Sequence, residues 1–382
     1  MMECRLADVA KVDSGAGFPL QYQGTQDAVF PFLKVSDMNL AGNEREIQRW
    51  NNSVSDEVRG KLRAKAFPAG SLIFPKIGAA IGTNKKRQLT QPSCADNNVM
   101  AVIPKPELLE PDFLYFLFLA KNISDFASDS NPPSIRKSEV ENWQVQVPTL
   151  SEQRRIVDIL SRAEGIVRLR REAERKAAEL VPGIFLDMFG DPATNPRGWP
   201  VESLGKHVGI PSVVRTPDLA AEADMLCIGA DSIESMSGKL ISMPTVRDVL
   251  PKSGKYWFDA GDALYSKIRP YLAKATLVQT GGYCSADMYP LRCGITLRPT
   301  FLLSLLLSKA FTEYATAESV RASMPKLNRV ALFKYQFPLP PVRLQEIFSE
   351  HAEAMQAIQF QQSTATDKAK ATFDALLAQV FS

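Results

Sequence analysis

Histidine is almost missing from this 382-residue chain: His207 and His351 are the only two, too few for a histidine-based metal site. Cysteine is scarce too. Cys4, Cys94, Cys227, Cys284 and Cys293 form no Cys-x-x-Cys pair and are odd in number, so reduced cytosolic thiols fit better than a disulfide framework. Long apolar runs are lacking: FLYFLFLA at 113–120 and FLLSLLL at 301–307 fall far short of the roughly 20 residues that span a bilayer, so no membrane segment is expected. The opening MMECRLADVAKVDSG has no basic stretch leading into an apolar one and does not read as a secretory signal. No Gly-x-x-x-x-Gly-Lys-Ser/Thr loop occurs, which argues against nucleotide-driven chemistry. A strong excess of one charge is absent as well, the net charge being +3, so any polyanion partner must be argued from local distribution.

What the chain does contain is a repetition. Asp37 in FLKVSDM answers to Asp231 in LCIGADS. Ala69-Gly70 ahead of SLIFPKIG answers to Ala260-Gly261 ahead of DALYSKIR, which sets Lys76 against Lys267 at an offset of 191. Pro111 opens PDFLYFL as Pro299 opens PTFLLSL, and Pro148 with Gln153 matches Pro340 with Gln345 at an offset of 192. A period this long marks a duplicated domain, since solenoid units repeat every 20 to 50 residues or so. Two similar surfaces are expected, and a task that needs both.

Basic residues are distributed to match. From Gly70 through Cys94 there is no acidic residue, while Lys76, Lys85, Lys86 and Arg87 sit among Gly78, Gly82 and Asn84. The equivalent stretch from Ala263 to Ala286 also lacks acids and carries Lys267, Arg269 and Lys274. One such run reads most simply as a solvated turn; its recurrence in two diverged copies points to a phosphate-facing surface.

Hydrophobic period divides each half again. FPFLKV, SLIFPKI, NVMAVIP and WQVQVP read as strands, and PDFLYFLFLAK as one buried helix. After Thr149 the apolar residues fall three or four apart, through Ile156, Leu160, Ala163, Ile166, Leu169, Ala173, Ala177 and Leu180. That spacing predicts a long amphipathic helix with Ser151 as its N-cap and Pro182-Gly183 as a kink or end. The second half repeats the plan, with strands in ADMLCIG, DALYSKI and YQFPLP and a short helix in FLLSLLLSKAF. Its long helix carries Leu344, Phe348, His351, Met355, Ile358, Ala365, Ala369, Leu376 and Val380 on the stripe, with His351 read as a packed or interface histidine rather than a general base. The expected fold is α+β: two mixed, strand-rich domains (1–148 and 191–341), each followed by a long helix (149–190 and 342–382). The two helices are expected to pair antiparallel as an intrachain coiled coil, a pseudo-twofold internal repeat with one globule at each end.

Three features invite catalytic readings. Asn131-Pro132-Pro133-Ser134 suggests the Asn-Pro-Pro-aromatic motif by which amino-methyltransferases hold a flipped adenine. Ser134 replaces the stacking aromatic, however, and the only upstream Gly-x-Gly, in Asp13-Ser-Gly-Ala-Gly, lacks a strand-turn-helix setting. The second copy reads Ser323-Met324-Pro325 there, so the shared feature is a turn before a strand. Asp37 and Asp231 recur as a pair and are read as strand-end residues bonding backbone in both copies.

The PTLSEQRRIVDIL and PLPPVRLQEIF helix entries, the AGSLIFPKIGAAIG segment and the junction MFGDPATNPRGWPVESLGKHV together resemble the specificity subunit of type I restriction-modification systems over essentially the whole chain. The second copy departs at Arg343-Leu344-Gln345, where the family usually has Glu-Gln. The resemblance implies a non-catalytic, cytoplasmic, prokaryotic protein whose two target-recognition domains each read half of a split, asymmetric site in double-stranded DNA. It implies that the helices set the spacer and dock two methyltransferase subunits, with restriction subunits joining. S-adenosylmethionine, ATP and Mg would then sit on those partners, with no cofactor in this chain. On that reading Lys76, Lys85, Lys86, Arg87, Lys267, Arg269 and Lys274 contact mainly phosphate, and Asn84, Arg87, Arg215 and Arg269 are candidates for base edges. Arg136, Lys137, Lys326 and Arg329 flank matched turns as further candidates. The alternatives are an amino-methyltransferase using Asn131-Pro132-Pro133-Ser134 and a coiled-coil scaffold with no DNA role.

Overall fold

The computed structural model describes residues 2–211, 214–319 and 325–381. It divides into two compact units, one of residues 1–169 with 367–382 and one of residues 170–366, so that the division falls inside both long helices.

In the first unit the strands Ala10–Ser14, Val99–Pro104, Leu72–Pro75, Arg87–Leu89 and Glu46–Ile47 form a five-stranded sheet in that order. Leu72–Pro75 lies at its centre and is buried along its whole length, as its unbroken apolar run requires. Gln144–Val147 pairs with Met2–Arg5 and alternates exposed glutamine with buried valine, the period of a half-covered strand. Pro111–Ala120 is helical with Phe113 to Phe118 all buried, and the Glu110 carboxylate caps it by accepting from the Phe113 N–H at 2.9 Å. Gly70 turns the chain into the central strand at φ 81°, and Gly261 does the same in the second unit at φ 86°.

The second unit places Val208–Gly209, Met288–Cys293, Ala263–Ser266 and Ala275–Leu277 in one four-stranded sheet. Its core is aromatic: Phe185, Phe189, Phe301 and Phe348 pack with ring centroids 5.0 to 5.7 Å apart. The short helix expected in FLLSLLLSKAF stops at Leu307 and a new one starts at Lys309, with the Ser308 hydroxyl accepting from the Phe311 N–H at 3.2 Å. Each unit also has a second sheet containing one parallel pair, three-stranded in the first with Phe32 opposite Cys94 and four-stranded in the second with Cys227 opposite Tyr283.

The first long helix runs Leu150–Ala178 and the second Val342–Phe381. Thr149 rather than Ser151 caps the first, its hydroxyl accepting from the Glu152 N–H at 3.4 Å. The helix breaks at Glu179, one turn before Pro182, and resumes as Leu180–Phe189. Proline has no N–H to give the carbonyl of Ala178, which explains a break upstream of the ring. The buried seam also differs from the stripe expected. Leu160, Val167 and Ala177 are buried, whereas Ile166 and Leu169 are 53% and 62% exposed. A helix has 3.6 residues per turn, so two successive steps of three, from Ala163 to Ile166 to Leu169, carry the stripe off the seam. On the second helix Phe348, Ala352, Thr366, Phe373 and Leu377 are buried, while His351 is exposed, which leaves only the interface half of its reading.

Each unit contains a stretch of both helices. In the first, Leu160 and Val167 join Phe373 and Leu377 in the main core. In the second, Arg170 donates to Gln362 at 3.4 Å, Gln359 donates to the Ala177 carbonyl at 2.8 Å, and Phe185 meets Phe348 at 5.7 Å. Partners fall along one helix as they rise along the other, so within this unit the segments run antiparallel.

Candidate nucleic-acid interface

The start of each long helix is tied to its unit by a buried glutamine. Gln153 Oε1 accepts from the Glu110 N–H at 2.8 Å, and its Nε2 donates to the carbonyls of Leu108 and Pro148 at 2.9 Å each. Gln345 repeats this with the Arg298 N–H at 2.9 Å and the carbonyls of Thr296 and Pro340 at 3.2 and 2.9 Å. The sequence landmark is thus a latch between helix and globule.

A second matched junction assembles the basic candidates. In the first unit the Gly78 N–H donates to the Pro133 carbonyl and the Ile135 N–H to the Lys76 carbonyl, both at 2.8 Å, around an Ile77–Ser134 bridge. In the second the Arg269 N–H donates to the Pro325 carbonyl at 2.9 Å and the Leu327 N–H to the Lys267 carbonyl at 2.8 Å, around an Ile268–Lys326 bridge. The basic turn and the proline turn, more than fifty residues apart in sequence, are therefore brought together in both units. Gly78 and Arg269 hold the same position in this junction, with φ values of 75° and 48°. Glycine adopts that left-handed conformation freely; arginine there costs on the order of 1 kcal/mol.

Around these junctions the candidate cations divide into two groups. Arg136, Arg269, Lys326 and Arg329 are exposed, Arg329 lying 5.1 Å over the Phe333 ring. Lys137 is exposed and paired with Glu141 at 3.3 Å. Lys76 is half-buried and donates to the Ser14 hydroxyl at 3.1 Å. Lys85 is half-buried and donates to the Asn39 side chain. The others are internal braces. Lys86 is 3% exposed, donates to the Lys121 carbonyl at 2.7 Å and to Asn84 at 2.8 Å, and burial pushes its ammonium down to about 8. Arg87 donates to the carbonyls of Lys86 and Met38, and burial lowers it as well. Asn84, at φ 53°, spends its side-chain oxygen on Lys86 and the Ile123 N–H. Lys267 is buried, donates to the Ala286 carbonyl and lies 5.0 Å over Tyr289; burial and then Lys326 lower it. Lys274 donates to the Ala230 carbonyl at 2.8 Å. Lys86, Lys267 and Lys274 each donate to a backbone carbonyl, which satisfies an ammonium held inside the fold. The acid-free runs therefore contribute fewer exposed cations than their charge count suggests. Arg215 lies elsewhere, on an exposed edge strand of the second unit.

The tempting catalytic features resolve structurally. A side chain at Gly15 would meet the Asp96 carbonyl at 2.0 Å, so Asp13-Ser-Gly-Ala-Gly is a close backbone approach, and its Ser14 is the partner of Lys76. Asn131 and Pro132 are exposed, and the hydroxyls of Ser128, Ser130 and Ser134 bond one another beside them. Ser323 and Met324 of the second copy lie outside the described residues. Asp37 is fully buried and accepts from the backbone of Lys34 and Asn51 at 2.7 and 3.1 Å, whereas Asp231 is exposed, so the two aspartates do not share that role. Among the described residues no group of three or more histidine, cysteine or acidic side chains could hold a metal ion, and no helix is long and apolar enough to cross a membrane.

Comparison with known proteins gives this arrangement its setting. Residues 1–178 match the type I restriction modification DNA specificity domain. The chain is 27% identical over 315 residues to the type I restriction enzyme EcoDI specificity subunit of Escherichia coli, covering 72% of this chain and 70% of that protein. It is 24% identical over 237 residues to the MjaIX specificity subunit of Methanocaldococcus jannaschii, of which it spans 52%. The fold is shared with the S subunit of a type I system from M. genitalium, at TM-score 0.57, 11% identity and coverage of 100% and 96% of the two chains. A chain from a structural study of assembly and conformational transition in a type I system also matches at TM-score 0.57, with 18% identity and coverage of 99% and 96%. The matched domain is one of DNA specificity, a non-catalytic role, and the exposed cations and latched helices described above lie in a chain similar to the specificity subunits of type I restriction-modification systems.

Proposed function

We propose that this chain reads a bipartite, asymmetric site in double-stranded DNA, one half-site for each unit. The paired long helices form an antiparallel coiled coil that fixes the spacer, and the whole chain is a pseudo-twofold frame. Two modification subunits dock on that frame, restriction subunits join them, and S-adenosylmethionine, ATP and Mg reside on those partners in a prokaryotic cytoplasm. The supporting observation is the junction built twice, which sets exposed cations beside equivalent turns: Arg136 and Lys137 in one unit, Arg269, Lys326 and Arg329 in the other. Lys76 and Lys85, held only by neutral oxygens, complete the phosphate-facing set. Phosphate contacts of this kind position a protein on the duplex without specifying sequence. An arginine in a left-handed turn that its counterpart fills with glycine favours a functional demand on that side chain.

The test is to assemble the chain with its modification subunits and map the methylated adenines in DNA exposed to the complex. Two short conserved half-sites separated by a constant unread gap are expected. Lengthening or shortening the first long helix by one turn near Ala173 should change the gap and leave both half-sites intact. Methylation without sequence preference, or half-sites that change with helix length, would overturn the proposal.

A further inference from the structure

Arg215 lies on the strand Val214–Arg215, outermost in a four-stranded sheet that continues through Lys255–Phe258 and Gly282–Cys284 to Leu226–Ile228. Register decides what it faces. Arg215 is opposite Lys255, so Trp257, two residues on, is its diagonal neighbour on the same face, and Trp257 is opposite Tyr283. The guanidinium carbon accordingly lies 5.7 Å from the Trp257 ring centroid and 5.3 Å from that of Tyr283, within cation–π range. Glu222 closes the remaining side. Its Oε1 accepts from Arg215 Nη2 at 2.6 Å and from the Tyr283 hydroxyl at 2.7 Å, and its Oε2 accepts from the Asp218 N–H at 2.9 Å. The Tyr283 hydroxyl bond, followed by the Asp218 N–H, holds the Glu222 carboxyl below its ordinary value, so the carboxylate stays an acceptor at neutral pH.

An arginine that merely covered an aromatic cluster would lie flat and be spent. Here the side chain is 51% exposed while Glu222 beneath it is 12% exposed, and the Glu222 bond occupies one of the five N–H donors a guanidinium carries. The carboxylate also compensates the positive charge. A compensated guanidinium contributes little to counterion release, yet its donors keep a fixed direction. Those are the attributes of a hydrogen-bonding reader rather than a phosphate clamp. Asn84 and Arg87, the other sequence candidates in the first unit, are engaged inside the fold.

We propose that Arg215 reads a guanine in the half-site of the second unit, presenting its donors to O6 and N7 in the major groove, with Glu222, Tyr283 and Trp257 as positioning residues. This rests on the DNA-reading function proposed above. The experiment measures binding and methylation by the assembled complex on a target set in which each base pair is replaced in turn, across a range of salt concentrations. In Arg215→Ala, discrimination at a single G·C position of one half-site should fall about 10- to 100-fold, with the other half-site and the salt slope unchanged. Arg215→Lys, which keeps the charge and loses the fork, should lose the same discrimination, and Glu222→Gln should weaken it at the same position. Full rescue by lysine, or a uniform loss with a salt slope shallower by about one, would make Arg215 a phosphate contact and overturn the assignment. Sequence preference that survives intact in Arg215→Ala overturns the assignment alone. Absence of any preference in the wild-type complex removes the DNA-reading function, and this assignment with it.

Discussion

Replacing Gln153 with alanine removes the three hydrogen bonds of a buried side chain at once. The Glu110 N–H and the carbonyls of Leu108 and Pro148 lose their partner, and Gln153 itself is fully buried, so solvent does not stand ready at its place. Each buried polar group left unpaired costs about 1–3 kcal/mol. Allowing for partial relaxation and for water entering the vacated volume, a loss of about 4 kcal/mol is expected in the first unit. For a unit of this size a urea m-value of about 2 kcal/mol per molar turns that into a midpoint shift of about 2 M. Trp50 and Trp143 lie in the first unit and Trp199 and Trp257 in the second, so variants keeping one pair report each unit's unfolding by fluorescence. Gln345→Ala should produce a shift of similar size, reported by the other pair, because its three bonds are the same in kind. Gln153→Glu should be at least as damaging, since a carboxylate would face the two carbonyls that now accept from Nε2. A shift below about 0.5 M for Gln153→Ala would refute the latch as an energetic device.

Three further outcomes follow from single side chains. Arg269→Gly should stabilise the second unit by about 1 kcal/mol by relieving the left-handed backbone, while lowering DNA affinity and reducing the salt slope by about one; a variant that binds as well as wild type would remove Arg269 from the interface. Arg45 is pinned at 2.6 Å to both Asp112 and Glu164, with its guanidinium 4.7 Å from the Tyr115 ring, so Glu164→Ala should destabilise the first unit by about 3 kcal/mol on denaturation; a change under 1 kcal/mol would show the network to be dispensable. Lys86, depressed to about 8 in the fold against about 10.4 unfolded, releases its proton in the folded chain first, so stability rises with pH between those values and is flat in this respect below about 8. The stability difference between wild type and Lys86→Met should therefore move in favour of wild type from pH 8 to 10; a difference independent of pH would contradict the buried placement.

The elements set by local pattern were legible in the sequence, and those set by tertiary competition were not. Leu72–Pro75, Val99–Pro104, Gln144–Val147 and Pro111–Ala120 fall where apolar period and proline placed them. The helix cap moved from Ser151 to Thr149 because both are hydroxyl residues two positions apart, and only the path of the incoming strand distinguishes them. On the first long helix the stripe held at Leu160 and Ala177 but not at Ile166 and Leu169, apolar residues left on the exposed side. At the candidate site, charge could be counted but its destination could not. Lys85 and Lys86 are neighbours in sequence, yet Lys86 is buried on a carbonyl while Lys85 stays half-exposed. The Arg215 cluster was less visible still, because Trp257 and Tyr283 converge on it only through strand register, and Glu222 reaches it from a turn.

The two units share their helix latches and paired turns and differ at positions beside them. Gln153 and Gln345 make the same three bonds, and the paired turns close through the same two backbone bonds in each unit. Against that sameness, the position that closes the junction is Gly78 in one unit and Arg269 in the other, and the residue bridged beside it is Ser134 in one and Lys326 in the other. Backbone hydrogen bonds are indifferent to side-chain identity, so a junction built from them tolerates substitution at its outward positions without loss of the fold. A frame of this kind permits the two surfaces to diverge independently. If each surface reads its own half-site, divergence at Gly78/Arg269 and Ser134/Lys326 alters the contacts to DNA while the helix latches, which accept no such variation, continue to hold both units to one spacer.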